Sequence, residues 1–303
     1  MTARTDRQAT ALRPLALSQG TLSRADGSAQ FTFGNVSVLG SVTGPAEVRL
    51  RDELVDRATL EINVRPLRGQ GGPPIKAAES TLSQLFAPLI LLHLYPRALI
   101  QLTLQTISSP STNFTKPFST EPSLRGDDKG KGKELEAPRG TGVGAGEKAA
   151  RINAAMMALV DAGVQSRGML VAVAIAFVPV QDGAVHEEEM RLDPIPAEEE
   201  EATSTHVFAL SFGQGVGGTE GTCVGVDSVG TFSEDQLFDA QDLAQTACQT
   251  ILAFIRKSVE TKYGVEGAPL AAQVKAVPEM DMHDAKEAEA EGSHDDDRVM
   301  IEA

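Results

Sequence analysis

The sequence predicts an α+β fold, with helices packed on mixed or antiparallel sheets. Short β-rich runs separated by turn signals fill residues 15–64, and helical periodicity dominates residues 76–94, 144–163 and 233–262. Further strands stand between these helices. The resulting order is strands, helix, strand, helix, strands and helix, which differs from the regular strand and helix alternation of a parallel α/β sheet.

The first part of the chain reads as a strand meander followed by one helix and one strand. LALSQGTL, SAQFTFG, NVSVLGSVTG and ATLEINV are β-rich, and ADG and GNV are turn signals. Residues 76–94 are apolar-rich and predict a helix despite Pro88. Residues 98–108, ALIQLTLQTIS, alternate between apolar and polar side chains and predict a strand.

The second part of the chain begins with a glycine-rich turn that runs into a helix at 144–163. Ile152, Met156 and Leu159 fall at helical spacing there, and MLVAVAIAFVPV behind it predicts a strand. HVFALSFG and TCVGVDSVG predict two more strands. A long helix follows from about Ser233, where a serine and two acids suit the positive end of a helix dipole.

Four segments are predicted to lie outside the packed single domain of residues 12–263 or to interrupt it. Residues 1–11 and 264–303 read as disordered termini, residues 109–146 as a disordered insertion, and residues 182–204 as an acidic loop. The net charge of −15 comes almost entirely from this loop and the acidic tail. The charge therefore says little about what a channel or cleft inside the domain binds.

Composition narrows the functional classes. Apolar residues make up 41% of the 303 residues, enough for a substantial core, and the longest apolar run, LFAPLILLHLYP, is too short to span a bilayer. The first residues lack the apolar core of a secretory signal, and the chain has only two cysteines, Cys223 and Cys248. We therefore expect a protein of a reducing compartment with no membrane partner.

Three local motifs allow more than one interpretation. GQGVGG at 213–218 has dinucleotide-binding spacing, but a strand-like segment follows where a helix is required, so a hairpin turn is favoured. The EEEE run at 198–201 could hold a hard cation, but a solvated acidic loop is the simpler interpretation. Arg65 and Arg68, just after a strand, could contact phosphate oxygens or belong to an ordinary surface loop. No histidine or cysteine pair has metal-ligand spacing, so neither a metal nor another cofactor is predicted.

Residues 23–69 carry a more specific combination of motifs. An R-x-DGS start, a V-x-V-x-G strand, GP-x-E and an E-x-x-V-R-P-x-x-G strand occur in this order, and NAAMMALVDAGV follows at 153–164. Together these motifs resemble the RNase PH family, and within it the catalytically degenerate ring subunits of the eukaryotic RNA exosome. The resemblance implies an RNase PH fold, which is ribosomal protein S5 domain 2-like and consists of two related β-α-β-α halves.

The resemblance also implies where a phosphorolytic site would lie. Active members cleave the 3'-terminal phosphodiester of RNA with inorganic phosphate, which requires cationic groups, helix N–H groups and carboxylates around that phosphate. The phosphate-binding arginine of the first helix corresponds to Ala78. The phosphate-binding segment of the second helix corresponds to Glu147, Lys148 and Arg151, and the two catalytic aspartates, six residues apart, correspond to Glu199 and Thr205. Most of the family's phosphate-binding groups are thus replaced, and a carboxylate at Glu147 repels phosphate.

These substitutions predict a non-catalytic subunit that forms part of an exosome ring and its RNA channel, with Arg65 and Arg68 facing the channel. The resemblance implies four kinds of partner: other RNase PH-like ring subunits, RNA-binding cap subunits, an associated hydrolytic exoribonuclease and single-stranded RNA. It also implies a role in rRNA processing and RNA degradation, in the nucleus, nucleolus and cytoplasm. Two alternatives stay open: a phosphate-dependent 3'-to-5' exoribonuclease with a rearranged site of Lys148, Arg151 and Glu199, and a free-standing RNA-binding module.

Overall fold

A five-stranded sheet forms the first half of the fold. The structure, a computed structural model, describes residues 7–67, 71–110, 143–179, 188–213 and 218–264. The strands of the first sheet are β1 Leu15–Gln19, β2 Gly27–Phe33, β3 Val36–Glu47, β4 Thr59–Arg65 and β5 Ala98–Ser108. They lie in the order β1-β2-β3-β5-β4, and only β4 and β5 are parallel. Helix α1, Pro73–Phe86, joins this parallel pair, because parallel neighbours need a crossover connection.

A four-stranded antiparallel sheet forms the second half. Its strands are β6 Met169–Pro179, β7 Glu188–Leu192, β8 Ser204–Gly213 and β9 Gly218–Gly230, in the order β7-β6-β8-β9. The helices are α2 Ala145–Asp161 before this sheet, the short α3 Pro196–Glu201 within it, and α4 Glu234–Tyr263 after it. The predicted α+β class is confirmed. The antiparallel pairing of β8 and β9 also confirms a hairpin at GQGVGG, whose central residues 214–217 lie outside the described residues.

Helix α2 is the central element of the core. It packs against β2 and β3 of the first sheet and against β6 and β8 of the second. Contact with both sheets leaves almost no solvent-facing side, so polar residues of this helix, such as Asn153, are buried together with the apolar ones. Asn153 is satisfied there because its side-chain amide donates to the backbone oxygen of Ala172 at 2.9 Å and accepts from its N–H at 2.8 Å.

The DGS motif joins β2 to the end of α2. A Cβ atom at Gly27 would collide with the backbone of Ala162, so the close approach of strand and helix requires glycine at this position. The N–H of Ser28 donates to the Asp161 carboxylate at 2.9 Å. The motif that indicated the family therefore has a packing role.

Three predicted boundaries are wrong. Helix α1 ends at Phe86 rather than at residue 94, because Pro88 has no N–H group to continue the hydrogen bonds of the helix. The insertion predicted at 109–146 ends earlier, since α2 already begins at Ala145, while residues 111–142 lie outside the described residues. The predicted disordered N-terminus is ordered from residue 7 onwards, where the Ala9 carbonyl accepts the N–H of Leu192 at 2.8 Å.

The acidic loop predicted at 182–204 is also wrong over most of its length. Residues 188–192 form β7 and residues 196–201 form α3, while residues 180–187 are not described. Glu198 is buried, and its carboxylate accepts hydrogen bonds from Arg191 at 3.1 Å and from the N–H of Ile195 at 2.9 Å. Partners of this kind offset the repulsion between neighbouring carboxylates.

The C-terminal end of the chain forms a separate unit. Residues 7–259 belong to the main compact unit, and a second unit begins at Glu260. Of this second unit only residues 260–264, the end of α4 and the following glycine, are described, so the predicted acidic tail lies outside the described residues. None of the described helices is both long and apolar enough to cross a membrane.

His206 is a fully buried histidine of β8. Its Nδ1 lies 2.8 Å from the Ser228 hydroxyl and its Nε2 lies 3.1 Å from the Ser204 hydroxyl. The rings of Phe177 and Phe232 meet the imidazole edge to face. Burial lowers the pKa of His206, because the imidazolium form would lose its hydration.

This lowered pKa predicts a pH dependence of stability. Below the ordinary histidine value of about 6.5, the unfolded chain binds a proton at His206 that the folded chain resists. We expect the free energy of unfolding to fall between about pH 7 and pH 5, and to fall less in His206→Gln. Urea unfolding at a series of pH values measures this. The exposed His93 supplies the control, His93→Gln, which should keep the slope of the unsubstituted protein. Equal slopes in all three proteins would contradict the prediction.

Candidate functional site

A cleft between α1, β9 and the first turns of α2 brings three predicted site positions together. The cleft has a volume of about 550 Å³, and Ala78, Lys148 and Arg151 all line it. Sequence reasoning assigned these positions to phosphate contacts from two separate segments. Their meeting in one cleft supports the alignment on which that assignment rests.

Glu147 and Arg151 form a buried ion pair one helical turn apart in α2. Glu147 Oε1 accepts from Arg151 Nη2 at 2.5 Å and from the Thr106 hydroxyl at 2.7 Å. Only 8% of the Glu147 side chain and 3% of the Arg151 side chain are exposed. Burial lowers the pKa of Arg151, and the charge of Glu147 opposes this shift. Glu147 thus neutralises the arginine that stands at the predicted phosphate position.

Lys148 is also paired with a carboxylate of the chain itself. Its Nζ lies 2.8 Å from Asp227 Oδ2, and this contact joins the first turn of α2 to β9. The side chains of Lys148 and Asp227 are 22% and 42% exposed, so solvent weakens the attraction between them. The pair therefore stands at the solvent side of the cleft.

Glu199 occupies the N-terminal end of α2. Its Oε1 accepts the N–H of Gly146 at 2.9 Å, and the N–H of Ala145 also bonds to its carboxylate. Burial raises the pKa of Glu199, while these N–H groups and Arg13 lower it and Asp193 raises it. A helix N-terminus is a favourable position for an anion, and here the anion is a side chain of the protein.

Arg13 and Asp193 are two site residues that sequence reasoning missed. The Asp193 carboxylate accepts from Arg13 Nε at 2.8 Å, from its Nη2 at 2.5 Å and from its backbone N–H at 3.0 Å. Both residues are buried. Asp193 stands six residues before Glu199, the separation of the two family aspartates, so counting backwards from Glu199 would have found it.

The remaining predicted residues do not join this cluster. Thr205 lies in β8, paired with Ala176 and Val229, and Asp193 rather than Thr205 is the second acid that acts on Glu199. Arg65 is the exposed last residue of β4, not a residue of the following loop. Arg68 lies outside the described residues, and its predicted role stays a prediction. Within the described ranges, no three His, Cys, Asp or Glu side chains come together as metal ligands.

The sequence of the first half matches a known family. Residues 11–165 match the RNase PH description, "3' exoribonuclease family, domain 1". The chain belongs to the RNase PH family. The motifs at 23–69 and 153–164 that suggested this membership both lie within the matched region.

Similar proteins extend the match over most of the chain. The chain is 33% identical over 241 residues to the exosome complex component RRP46 of Saccharomyces cerevisiae, which covers 80% of this chain and 93% of the yeast protein. It is 25% identical over 267 residues to the exosome complex component Rrp41 of Archaeoglobus fulgidus, covering 83% and 84% of the two chains.

A solved structure shows the same fold. The crystal structure of Rrp46 from rice, Oryza sativa, matches with a TM-score of 0.64 and 24% sequence identity, over 84% of this chain and 98% of the rice chain. The RNase PH fold predicted from the motifs is thereby confirmed.

Proposed function

We propose that this chain is a ring subunit of an RNA exosome and that it does not carry out phosphorolysis itself. Its similarity to yeast RRP46 over 93% of that protein supports membership of the complex for which the relative is named. One observation carries the non-catalytic part of the proposal. The groups of the cleft that would hold phosphate are engaged by carboxylates of the chain.

Each anion-binding element has an internal partner. Arg151 is bonded to Glu147, Lys148 to Asp227, and the N–H of Gly146 to Glu199. Ala78, in the position of the arginine of active members, offers no charge. Because loss of a single transition-state donor costs about 3 kcal/mol in comparable sites, this arrangement removes the basis of phosphorolysis.

In this proposal the chain supports RNA processing through the ring rather than through chemistry of its own. Its partners would be the other RNase PH-like ring subunits, RNA-binding cap subunits and an associated hydrolytic exoribonuclease, in nucleus, nucleolus and cytoplasm. Arg65, exposed at the end of β4, is the described residue that we propose for phosphate contacts with RNA in the channel. Arg68 is the second such residue, from the sequence alone.

The decisive experiment incubates the purified full chain with single-stranded RNA and inorganic phosphate. We expect no release of nucleoside diphosphates, because no phosphate can be held beside the scissile bond. An active RNase PH enzyme in a parallel reaction verifies the assay. Phosphate-dependent release of nucleoside diphosphates would overturn the non-catalytic proposal, and failure to co-elute with ring subunits in gel filtration would overturn ring membership.

A second candidate function, phosphorolysis by a rearranged site, is favoured by one observation. Asp193 and Glu199 are two carboxylates with the family's separation, beside the start of α2. If the assay above detects activity, Glu199→Gln should abolish it and leave the fold intact. Activity that survives this substitution would exclude the rearranged site as its source.

A further inference from the structure

One face of the five-stranded sheet is not covered by any described helix. Helix α2 packs against β2 and β3, and α1 packs against β4, in one continuous core that includes Ile62, Val64 and Ile75. Helix α3 packs against β6 of the second sheet, and Cys248 of α4 lies against the Val171 carbonyl of β6. Successive residues of a strand point to opposite faces, so the residues between those of the core form a second face of the first sheet, the outer face.

A row of paired residues crosses the outer face from one edge of the sheet to the other. Ser18 of β1 pairs with Gln30 of β2, and Gln30 pairs with Leu39 of β3. Gln105 of β5 pairs with Leu39 on one side and with Arg65 of β4 on the other. The three central residues of this row are half-buried. The centre of the face therefore has one apolar side chain, Leu39, between two amide side chains.

The strands that form the outer face carry almost no charge. β1, β2, β3 and β5 contain no charged residue except Glu47, the last residue of β3. Glu61 and Arg65 lie on the edge strand β4. Charged residues make up 23% of the whole chain, and the solvent-facing surface of a soluble protein usually has at least such a share. Depletion of charge is typical of the core of a protein interface.

Side chains of the outer face are held in place by hydrogen bonds within the chain. Gln30 Nε2 donates to Ser37 Oγ at 2.8 Å, and the Thr32 hydroxyl donates to the same oxygen at 3.1 Å. Near the other edge, Gln105 Nε2 donates to the backbone oxygen of Pro66 at 3.2 Å. These bonds restrict the side chains before a partner arrives, which lowers the entropy lost on association.

The chemistry and size of the outer face indicate a protein partner. Nucleic acid requires lysine or arginine against its phosphates, and β1, β2, β3 and β5 contain neither. Five strands about 4.8 Å apart, with about seven residues of 3.3 Å each, give a face of roughly 550 Å². A specific protein interface takes about 800 Å² from each partner, so this face is large enough for most of one contact.

We propose that the outer face docks against a neighbouring RNase PH-like ring subunit, through a protein surface that is equally poor in charge. This inference rests on the proposed ring membership, and it adds which surface of the chain meets a neighbour. A subunit of a closed ring contacts a neighbour on each side, so the outer face serves one of the two contacts. Leu39 lies at the centre of this contact. Arg65 lies at its edge, where the proposed contact with RNA stays possible.

The experiment places a thiol on the outer face and measures its reaction with a maleimide. A Cβ atom at Gly40 would meet Ala154 of α2, so the neighbouring Ser41 points to the outer face. We expect Ser41→Cys to react readily in the free chain. After assembly with RNase PH-like ring subunits it should react about tenfold more slowly or less, because an interface thiol reacts only after local opening.

The matched control is Ser80→Cys, which places the same thiol on an exposed position of α1. Its rate should be the same in the free chain and in the assembly. The two native cysteines react slowly, because burial raises the pKa of both thiols, and the unsubstituted chain measures their contribution.

A charge at the same position tests the contact without labelling. Ser41→Glu should abolish co-elution with the ring subunits in gel filtration, because docking would bury an unpaired carboxylate, whereas Ser80→Glu should keep it. Circular dichroism verifies that the variants are folded. If Ser41→Glu fails to fold, the labelling rates of the cysteine variants still decide.

Several results would overturn the proposal and leave ring membership intact. These are an unchanged rate of Ser41→Cys on assembly, equal slowing of Ser80→Cys, and co-elution of folded Ser41→Glu. Slow labelling of Ser41→Cys in the free chain would mean that another part of the chain or a second copy covers the face. Protection by single-stranded RNA alone would assign the face to RNA. Failure of the unsubstituted chain to co-elute would overturn ring membership and the proposal together.

Discussion

Replacing Arg13 by alanine is expected to lower the free energy of unfolding by about 1.5 to 3 kcal/mol, the usual contribution of hydrogen bonds to a charged group, because Asp193 keeps Arg7 as a second cationic partner. Only 2% of the Asp193 side chain is exposed, and its carboxylate accepts three hydrogen bonds from Arg13 and a longer one from Arg7 Nη1 at 3.4 Å. Truncation removes two of them, while the backbone N–H remains. Urea unfolding of Arg13→Ala and the unsubstituted protein measures the loss.

An exposed arginine provides the matched control. Arg51 Nε lies 3.4 Å from Asp52 Oδ1, and the side chains of Arg51 and Asp52 are 83% and 46% exposed. Arg51→Ala should change the free energy of unfolding by no more than about 0.5 kcal/mol, because water replaces the lost contact. A loss below about 1 kcal/mol in Arg13→Ala would mean that the remaining donors satisfy Asp193.

Replacing Glu147 by alanine is expected to cost more, about 3 to 5 kcal/mol, because Arg151 would remain as an uncompensated buried cation. Two of its nitrogens, Nε and Nη1, already have no hydrogen-bond partner among the described residues. Arg151→Met should be less destabilising, since the Glu147 carboxylate that remains still accepts the Thr106 hydroxyl at 2.7 Å and methionine keeps much of the apolar volume. Thermal and urea unfolding of both variants measure the two effects.

The double variant Glu147→Ala with Arg151→Met separates pairing from packing. We expect it to be more stable than Glu147→Ala alone, because replacing a whole buried ion pair by apolar groups is often neutral or stabilising. If the loss in free energy of unfolding of the double variant equalled the sum of the two single losses, Glu147 and Arg151 would not be coupled. This result would contradict the conclusion that Glu147 neutralises Arg151.

Local patterns were sufficient for most elements of the fold. The strands at 98–108 and 169–180 and the helix at 144–163 were predicted nearly to their observed ends, since periodicity is a property of the segment itself. The start of α4 was predicted for the same reason: the Ser233 hydroxyl accepts the N–H of Gln236 at 3.2 Å, a local capping bond.

Predictions that depended on distant partners were less successful. The acidic run at 198–201 was interpreted as a solvated loop, because neighbouring carboxylates repel each other. Glu199 instead bonds to Gly146, which stands more than fifty residues earlier in the chain. The role of Asp193 was missed for the same reason, because its partner Arg13 lies near the N-terminus. The sequence instead placed the second acid of the site at Thr205.

The sequence by itself determined the fold class and the family, because the order of motifs and the spacing of residues can be recognised without knowledge of contacts. Only the tertiary structure decided which charged side chains of the site are paired with each other. Glu147 and Arg151 are neighbours on one helix, but their burial depends on the sheets that enclose α2. Asp227 reaches that helix from β9, and Glu199 reaches it from α3, both far along the chain. Charge compensation depends on the distances between charged groups in the folded protein. The local pattern of residues in the sequence does not determine these distances.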